Sequence, residues 1–489
     1  MTTSNAKRSL LNRREFVKKS AAGLFGFTII PAYLTSARAA DNPLLPPSRR
    51  VNLGCIGVGG RGHAVVNGLC RGGEALPVAF ADVDFRRHER GTRTFRDGVE
   101  AIYEINPNVK RYHDFRVMFD EMGDDMDAVC ISTPDHTHFV ATLHAMALGK
   151  HVFTEKPLAH TFLECEILMQ AEKKYGVVTQ MGNTGHTSAG AEQFKKMVAN
   201  GIVSEIVKIE AYRSAGGLWF MHQANRIAKY PEGDVVPEDL KSWDLWCGPK
   251  EQRPYSEMYH PFDWRGFYLY GGGMLGDWGA HIVDYAHEYL ELGLPTKIEA
   301  VETFDHNAVI FPRSSHLKFT FPMRSEVLPE VELDWKAGND FASPTADERY
   351  GSRQEKGEIE VPSLGSAGTF LHRRQGDYVI QRGSHASVSR IFPREKMLEF
   401  GEKVQAANPT HNHFMNFIAA CRKEATTTSG FSRSGVLSQT LILGTIAERL
   451  NASLTFDPDN RRFIGNDEAN RLLTGPDPRA DWKEYYTWV

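Results

Sequence analysis

Residues 51–63 read VNLGCIGVGGRGH, an apolar run that leads into a glycine-rich turn. Gly57, Gly59 and Gly62 have the G-x-G-x-x-G spacing of a dinucleotide-binding turn. Glycine at the first position permits a tight reversal from strand into helix, and at the second it lets backbone amides approach a pyrophosphate. At the third position it lets the helix pack against its strand. The stretch predicts a cofactor-binding turn formed by Gly57, Gly59, Gly60, Arg61 and Gly62.

A second apolar run, residues 76–83, follows the helix-compatible segment 64–69 and is accompanied by Asp82 and Asp84 at its end. At this distance from the glycines, a carboxylate accepts hydrogen bonds from an adenosine ribose and repels a 2′-phosphate. We therefore predict that Asp82 favours NAD over NADP. The alternative is a glycine-rich surface turn beside an ordinary loop aspartate, and the intact flanking pattern favours the cofactor site.

Length and charge describe an enzyme-sized chain with two domains. A chain of 489 residues exceeds a single typical core, and 41% hydrophobic residues indicate a globular protein. Residues 1–39 carry seven Lys or Arg and one Glu, a net charge of +6, which leaves −10 for the rest of a chain whose total is −4. The net negative charge of the chain after residue 39, together with the lack of a basic cluster in its sequence, argues against a nucleic-acid partner.

The basic N-terminus resembles a twin-arginine export signal. Arg13 and Arg14 precede a modestly apolar stretch, residues 21–33, and residues 37–39 form the small-x-small pattern of a signal peptidase site. We predict a cleaved signal peptide over residues 1–39, a linker over 40–49, and a periplasmic or secreted protein with no membrane contact after cleavage. A retained anchor is the lesser alternative, because the apolar run is short for a bilayer and contains Pro31.

The six cysteines are scattered without C-x-x-C spacing, so we expect neither a disulfide framework nor a cysteine-bound zinc. Cys55 and Cys130 fall within predicted core strands, where a thiol behaves as a small hydrophobe.

Strands and helices alternate from residue 50 to residue 181, which predicts a doubly wound parallel sheet with right-handed crossovers. Ligands bind outside the carboxyl ends of the strands in such sheets. The further predicted strands are 109–112, 126–133, 151–154 and 177–181, and the predicted helices are 139–148 and 161–175.

Two polar segments follow predicted strands at that edge, residues 133–138 (TPDHTH) and 155–157 (EKP). A partly desolvated lysine above a dinucleotide cleft can bind a substrate hydroxyl and take part in acid–base chemistry, whereas the alternative for Lys156 is a solvated loop lysine. Spacing alone does not separate these two interpretations. The residues predicted to border the cofactor are Thr133, Pro134, His136, His138, Glu155 and Lys156.

The second domain is predicted over residues 182–489 and is built on an open, mainly antiparallel sheet with helices on one face. Its alternating strands are 202–212, 296–304, 316–321 and 330–335, and residues 434–450 are predicted to form a long helix. Residues 337–400 are expected to be an insert that covers the cleft or an interface, and residues 457–489 an irregular tail anchored by aromatic side chains. The aromatic residues between 219 and 270 fit either sugar stacking or core packing, and core packing is favoured for each one.

Residues 274–290 are predicted to form a helix that carries Asp277, His281, Asp284 and His287 on one face. Three interpretations compete: a metal site, a solvated charged face, or a catalytic pair of Asp277 and His281. A zinc site would need a third nearby ligand and an H-E-x-x-H-like arrangement, which this segment lacks, so we predict no metal. His281 has an intrinsic pKa suited to a general base at neutral pH, and His287 is expected to be structural.

Taken in this order, the glycine turn, residues 133–138, the GKHVFTEKP segment at 149–157 and the DWGAH segment at 277–281 resemble the Gfo/Idh/MocA oxidoreductases. The resemblance covers roughly residues 50–455, and it is closest to a subgroup with twin-arginine signals. It implies an NAD-binding Rossmann domain over 50–181, a C-terminal substrate and oligomerisation domain, and sugar-like substrates at the junction of the two. It also implies that Lys156 orients the substrate, that Asp277 hydrogen-bonds it and that His281 is the acid–base group.

The expected activity is NAD-dependent oxidation of a secondary hydroxyl on a sugar, in a protein that is a homo-oligomer. An exported enzyme has no evident pool of NAD to exchange with, so a tightly bound cofactor that returns to its starting redox state is a second hypothesis. Transient oxidation would then give net hydrolysis or epimerisation, as in NAD-dependent glycosidases, although their Glu-Lys-Pro segment often differs and Lys156 is intact here. A noncatalytic sugar-binding protein is the third hypothesis.

Overall fold

The computed structural model describes residues 49–85, 89–90, 93–94, 106–214, 227–238, 240, 242–345, 352–353, 359–360 and 363–487. The predicted signal peptide, its cleavage site and the linker up to residue 48 lie outside these ranges, as do Trp219 and Trp488. Within the described ranges, no helix is long and apolar enough to cross a bilayer.

The N-terminal half contains the predicted parallel sheet, with six strands in the order β3-β2-β1-β4-β5-β6. All five neighbouring pairs are parallel, and β1 lies at the centre, with Cys55 opposite Phe80 on one side and Cys130 on the other. The strands are β1 (Val51–Ile56), β2 (Ala75–Ala81), β3 (Lys110–Tyr112), β4 (Ala128–Ile131), β5 (His151–Thr154) and β6 (Thr179–Met181).

In the part of the chain that the structure describes, four α-helices flank this sheet, and local sequence explains the ends of two of them. The longest begins after Thr161, whose hydroxyl accepts a hydrogen bond from the Glu164 amide while the Glu164 carboxylate accepts one from the Thr161 amide. It ends at Gly176, which has a left-handed backbone. The helix predicted over 139–148 begins earlier, directly after Pro134. The helices are α1 (Arg61–Cys70), α2 (Phe115–Met122), α3 (Asp135–Ala147) and α4 (Phe162–Tyr175).

The second half is built on a nine-stranded mixed sheet in the order β13-β12-β11-β7-β10-β9-β8-β14-β15. Its pairs are antiparallel except for β7 and β10, which are parallel, with Ala211 opposite Trp335. The four predicted strands are present, although the first begins at residue 206 instead of 202. The strands are β7 (Ile206–Arg213), β8 (Lys297–Phe304), β9 (Ser314–Phe321), β10 (Val331–Ala337), β11 (Ala367–Arg373), β12 (Tyr378–Arg382), β13 (Arg390–Phe392), β14 (Ser453–Asp457) and β15 (Arg462–Phe463).

The segment 337–400, expected to be an insert, is partly integrated into this sheet. Three strands of the segment extend the sheet beyond β7, where Leu371 lies opposite Ile209 and Val379 opposite Leu371. Continuous runs of buried residues in β11 (367–371) and β12 (379–381) are consistent with this placement, since strands within a sheet are covered by their neighbours and the core.

The helices of the second half pack on both sheets. The remaining helices are α5 (Ala189–Ala199), α6 (Trp243–Cys247), α7 (Ala280–Ile282), α8 (Asp284–Tyr289), α9 (Arg394–Phe400), α10 (His413–Cys421), α11 (Phe431–Leu450), α12 (Asp467–Thr474) and α13 (Lys483–Tyr486). In α10, Phe417 and Ile418 join a core cluster with Val65 and Leu69 of α1. α11 crosses α4 closely, because a Cβ on Gly435 would lie 2.6 Å from the Met169 side chain. α10 and α11 therefore pack the second half against helices α1 and α4 of the cofactor-binding half.

The C-terminal tail is ordered, which corrects the expectation of an irregular segment. Residues 457–487 include β15, α12 and α13, and Asn466 caps α12 by accepting a hydrogen bond from the Ala469 amide. The anchoring by aromatic residues is nevertheless present, since Trp482 and Tyr485 are buried. All six cysteines are free thiols, and five of them are buried.

Candidate functional site at the junction of the two sheets

The glycine turn after β1 has the geometry that a dinucleotide requires. Gly57 has φ +76°, and a Cβ there would lie 2.8 Å from the Ser132 backbone. A Cβ on Gly62 would lie 2.0 Å from the Gly57 carbonyl oxygen, so the helix approaches the strand as closely as glycine allows. At Gly59, by contrast, a Cβ would meet no protein atom within 4 Å. The turn therefore packs closely against protein at Gly57 and Gly62, whereas the space in front of Gly59 is open.

Asp82 follows β2 and holds the glycine turn in place. Its carboxylate accepts hydrogen bonds from the amides of Val58 (2.8 Å) and Gly59 (3.3 Å), and its other oxygen accepts one from the Asp84 amide at 3.0 Å. The neighbouring Asp84 carboxylate contacts His260 Nε2 at 2.8 Å. Asp82 is thus positioned beside the turn, as the sequence pattern predicts.

A cavity of about 640 Å³ opens in front of the turn and Asp82. This is within the range of pockets that hold a small molecule or cofactor. It is lined by the glycine turn, Asp82, Thr133 and Pro134 of the N-terminal half, and by Trp246, residues 260–262, residues 264–265 and Trp482 of the second half. The open Gly59, the amide-rich turn and the carboxylate together fit a dinucleotide with its pyrophosphate at the N-terminus of α1.

Of the side chains predicted to contact the cofactor, those of His136, His138, Glu155 and Lys156 do not line this cavity. The ring nitrogens of His136 face the carbonyl oxygens of Tyr270 (3.2 Å) and Trp246 (2.7 Å). Those of His138 face the carbonyl oxygens of Pro157 (2.7 Å) and Thr133 (2.9 Å). Burial lowers both pKa values, that of His136 to about 3. Both buried rings thus face backbone carbonyl oxygens and not the cavity, which corrects the direct contact with the cofactor predicted for His136 and His138.

Glu155 connects the glycine turn to the lysine that follows it in sequence. Arg61 Nε donates to the Glu155 carboxylate at 2.9 Å, although the arginine is 40% exposed and the glutamate only 5%. A Cβ on Gly182 would lie 2.6 Å from the Glu155 carboxyl carbon, so glycine at that position makes room for the side chain. The same carboxylate accepts a 3.4 Å hydrogen bond from the Lys156 amide.

Lys156 and Asp277 meet at the junction of the two sheets. Lys156 Nζ donates to the Asp277 carbonyl oxygen at 2.7 Å and forms an ion pair with the Asp277 carboxylate. Their side chains are only 11% and 13% exposed, so neighbouring protein screens the pair from water. Lys156 comes from the end of β5, and Asp277 from a segment of the second half.

The segment that carries Asp277 and His281 is not the continuous α-helix that was predicted. It begins with a π-helical turn, Leu275–Gly279, continues as α7, and is interrupted at Val283 before α8. π-Turns often occur at functional sites because they displace one residue from the regular helical register. Here the π-turn contains Asp277.

The four polar residues of this segment consequently do not form one cluster. Asp284 makes an ion pair with the buried His186 at 3.0 Å. The ring of His287 contacts the Gly293 carbonyl oxygen at 2.9 Å and the Thr440 hydroxyl at 3.3 Å, so its surroundings are structural. Within the described ranges, no three His, Cys, Asp or Glu side chains are arranged to hold a metal ion.

His281 is a buried imidazole with an unused nitrogen. It is 8% exposed, and its Nδ1 has no hydrogen-bond partner among the described residues. Burial, followed by the positive charge of Lys156, holds its pKa well below the ordinary value. A lowered pKa favours the unprotonated ring, which is the form that a general base requires, and it also makes the ring a weaker base.

Two residues of the site escaped the sequence analysis. Burial raises the pKa of Asp135 to about 7, and its carboxylate accepts a hydrogen bond from the Gly272 amide at 3.0 Å. Asp135 lies in the segment 133–138, in which the pattern predicted Thr133, Pro134, His136 and His138 to border the cofactor but gave no role to Asp135. His385 stacks on His281 with ring centroids 4.0 Å apart. Nothing in the sequence near residue 385 signals this contact, which depends on the fold.

Curated relatives match part of the chain. A glycosyl hydrolase family 109 protein of Shewanella pealeana is 29% identical over 215 residues, which is 41% of this chain and 45% of that protein. An alpha-N-acetylgalactosaminidase of Shewanella oneidensis is 27% identical over 231 residues, which is 44% of this chain and 48% of that protein. The chain thus spans about half the length of these relatives.

Solved structures share the fold over most of the chain. The WlbA dehydrogenase of Bordetella pertussis, determined with NADH and UDP-GlcNAcA, is 14% identical with a TM-score of 0.52 and covers 84% of this chain and 99% of its own. The aldose-aldose oxidoreductase of Caulobacter crescentus is 16% identical with a TM-score of 0.50, and it covers 83% of this chain and 100% of its own. At these identities the likeness concerns the fold alone.

Family models match both halves. The model described as an oxidoreductase family with an NAD-binding Rossmann fold matches residues 51–183. The C-terminal alpha/beta domain of the same family matches residues 187–320 and 376–484. Together with the two sheets and the glycine turn, these matches show that the chain belongs to the Gfo/Idh/MocA family of NAD-binding oxidoreductases.

Proposed function

We propose that the protein oxidises a secondary hydroxyl of a sugar or sugar derivative with NAD, and that His281 is the acid–base group. The observation that carries this proposal is the buried imidazole of His281, whose Nδ1 has no partner among the described residues and on which the charge of Lys156 acts. The Lys156–Asp277 pair is in turn linked to the glycine turn through Glu155 and Arg61.

His281, Lys156 and Asp277 have separate roles in the oxidation of a secondary alcohol. NAD, if held by the glycine turn and Asp82, would supply the acceptor for the hydride of the carbinol carbon. His281 takes the hydroxyl proton on a ring nitrogen, and burial makes the neutral form of the imidazole available before the proton arrives. Lys156 has three N–H donors, of which two point at Asp277, so one remains for the substrate oxygen as it gains negative charge. Asp277 orients the lysine and accepts a hydrogen bond from a neighbouring hydroxyl.

A second candidate is a redox-neutral reaction in which the cofactor stays bound, and the form of the cavity favours it. The residues that line the cavity from outside the parallel sheet include Trp246, residues 260–262, residues 264–265 and Trp482. They would add contacts to a bound dinucleotide beyond those of the glycine turn, and added contacts favour retention of the cofactor. The curated relatives named as glycosidases support the same candidate.

The Trp482 wall is firmly attached to the cofactor-binding half. The Arg116 guanidinium lies over the Trp482 ring, 4.6 Å from its centroid. Beyond it, the Tyr485 hydroxyl contacts His144 Nδ1 at 2.8 Å, and the Tyr486 hydroxyl donates to Glu164 at 2.6 Å. We infer that this C-terminal segment slows the release of the cofactor.

The test purifies the protein without added cofactor, denatures it and measures NAD and NADH in the supernatant. The protein is then assayed with p-nitrophenyl N-acetylgalactosaminide and with free aldohexoses, with and without added NAD. Stoichiometric NAD and release of nitrophenol without NADH accumulation support the redox-neutral candidate. An empty protein that accumulates NADH with added NAD supports the exchanging dehydrogenase. Sugar binding without either reaction would overturn both and leave a noncatalytic binding protein.

The export signal and the homo-oligomer remain parts of this proposal. We propose that Arg13 and Arg14 direct the folded, cofactor-loaded protein across the cytoplasmic membrane. Fractionation of cells that express the full chain, with Arg13→Lys/Arg14→Lys as the control, tests export, and light scattering of the purified protein tests the assembly. Equal periplasmic amounts of both forms would contradict the export proposal.

A further inference from the structure

His385 covers the ring of His281. The two imidazoles are stacked, with centroids 4.0 Å apart and planes at 27°. The backbone reinforces the contact, because the His385 amide donates a 2.9 Å hydrogen bond to the His281 carbonyl oxygen. His281 is buried, whereas His385 is exposed. The outer imidazole therefore lies between the inner one and solvent.

The loop that carries His385 is fixed in an unusual conformation. His385 and Ala386 both have positive φ, +62° and +49°. This region costs free energy for residues other than glycine, so the surrounding structure must impose it. A Cβ on Gly185 would lie 2.4 Å from the His385 backbone, and one on Gly190 would lie 2.0 Å from the Ala386 carbonyl oxygen. The Ser188 hydroxyl also donates to that oxygen at 2.8 Å.

We propose that His385 is a positioning residue that keeps His281 unprotonated as the pH falls, because once the outer ring carries a proton, a second positive charge on an imidazole stacked 4.0 Å away is strongly disfavoured. The inference rests on the proposed function, in which His281 must be unprotonated at the start of each turnover. It also assigns a role to the strained loop, which holds a second titratable ring against the first. A purely structural ring at this position would not affect the protonation of its neighbour.

Other charged groups also act on His281 and His385. Besides His385, the positive charges facing His281 are those of Lys156, Arg61 and, when protonated, His413. His385 faces the same lysine and arginine, with Glu155 and Asp277 opposing them. Because these groups stay in place when only residue 385 is changed, a shift in His281 titration on that change reports the contact between the two rings.

The test replaces His385 with phenylalanine, which retains a stacked ring but cannot be charged. The titration of His281 is followed by NMR of selectively labelled histidines, and its signal is identified by its loss in His281→Asn. We expect the midpoint in His385→Phe to rise by about half a unit to one unit, since one interacting charge is removed. The acidic limb of kcat/KM should move to higher pH by the same amount.

Two further variants keep the test decisive. His385→Asn removes the titrating ring with a residue that tolerates positive φ, and it serves if the phenylalanine variant does not fold. His306→Phe removes an exposed histidine that contacts the Arg449 carbonyl oxygen, and it should leave the titration of His281 unchanged.

The NMR readout does not need turnover, so it separates this inference from the proposed function. A raised midpoint in a protein without activity would support the pairing of the rings and count against the proposed reaction. A midpoint that stays unchanged in His385→Phe and His385→Asn would overturn the inference, whatever the activity of the wild-type protein.

Discussion

Lys156 Nζ donates a hydrogen bond to the Asp277 carbonyl oxygen at 2.7 Å, which joins the end of a parallel strand to a π-helical turn of the second half. The contact brings a cation and a carboxylate to the place where the two halves of the chain meet. Both side chains are nearly buried, so their charges act through protein rather than water.

Replacing Lys156 by methionine removes the charge but keeps an unbranched side chain of similar length. We expect kcat/KM to fall by about 10²- to 10³-fold, because a donor aimed at the developing negative charge is lost. The affinity for NAD should change little, which isothermal titration would measure. Lys173→Met, an exposed change on α4, is the matched control. Unaltered kcat/KM in Lys156→Met would remove the lysine from the mechanism.

Two glycines of the turn should respond to alanine in opposite ways. Gly62→Ala places a Cβ 2.0 Å from the Gly57 carbonyl oxygen, so we expect the free energy of unfolding to fall by about 1–3 kcal/mol. Gly59→Ala meets no protein atom within 4 Å, so the fold should keep its stability while NAD binding weakens. Thermal unfolding and cofactor titration of both variants separate the effects. Equal NAD affinity in Gly59→Ala and wild type would show that the cofactor does not approach this turn.

Asp82→Ala should weaken NAD binding by about 10-fold, through loss of the ribose acceptor. It should also narrow the preference for NAD over NADP, because the carboxylate no longer repels a 2′-phosphate. Part of the loss will come from the amides of Val58 and Gly59, which the carboxylate now holds. Competition titrations with NAD and NADP measure the ratio, and the exposed Asp124→Asn serves as the control. An unchanged ratio would mean that selectivity is determined elsewhere.

The His186–Asp284 pair should make stability depend on pH. Burial lowers the pKa of His186, but the charge and hydrogen bond of Asp284 outweigh it, and the net pKa lies above the ordinary value. A raised pKa contributes stability that is fully present below the pKa of the unfolded state and is lost as the pH rises through the folded pKa. Asp284→Asn should therefore destabilise the protein more under mildly acidic than under alkaline conditions. Denaturant titrations across that range would show a constant difference if the pair carried no charge.

Local sequence was sufficient for the cofactor-binding half. The apolar runs, the glycine turn and Asp82 lie within about 35 residues of each other along the chain, and their pattern depends on strand and helix periods. The structure contains the predicted parallel sheet, with β1 at its centre. The sequence could not show that the His136 ring faces protein and not the cavity, because its partners are the carbonyl oxygens of Tyr270 and Trp246, more than 100 residues away.

Distant contacts explain the remaining differences. The prediction of one polar helical face assumed a regular helical period throughout residues 274–290, so it could not show that the helix is interrupted at Val283. Asp284 pairs with His186, and Trp482, from the C-terminal part of the chain, lines the cavity. Such pairings depend on how the two sheets are joined, and no periodic pattern encodes that arrangement.

The most direct test of the account is whether NADH formation depends on His281. Wild-type protein and His281→Asn, both loaded with NAD, are mixed with N-acetylhexosaminides and with free aldohexoses, and the near-ultraviolet absorbance of NADH is followed through a single turnover. The account predicts that the wild type forms NADH with at least one sugar and that the variant, with equal NAD affinity, forms it about 10²- to 10⁴-fold more slowly. Equal rates in the two proteins, or NAD left unreduced by every sugar in the wild type, would contradict it.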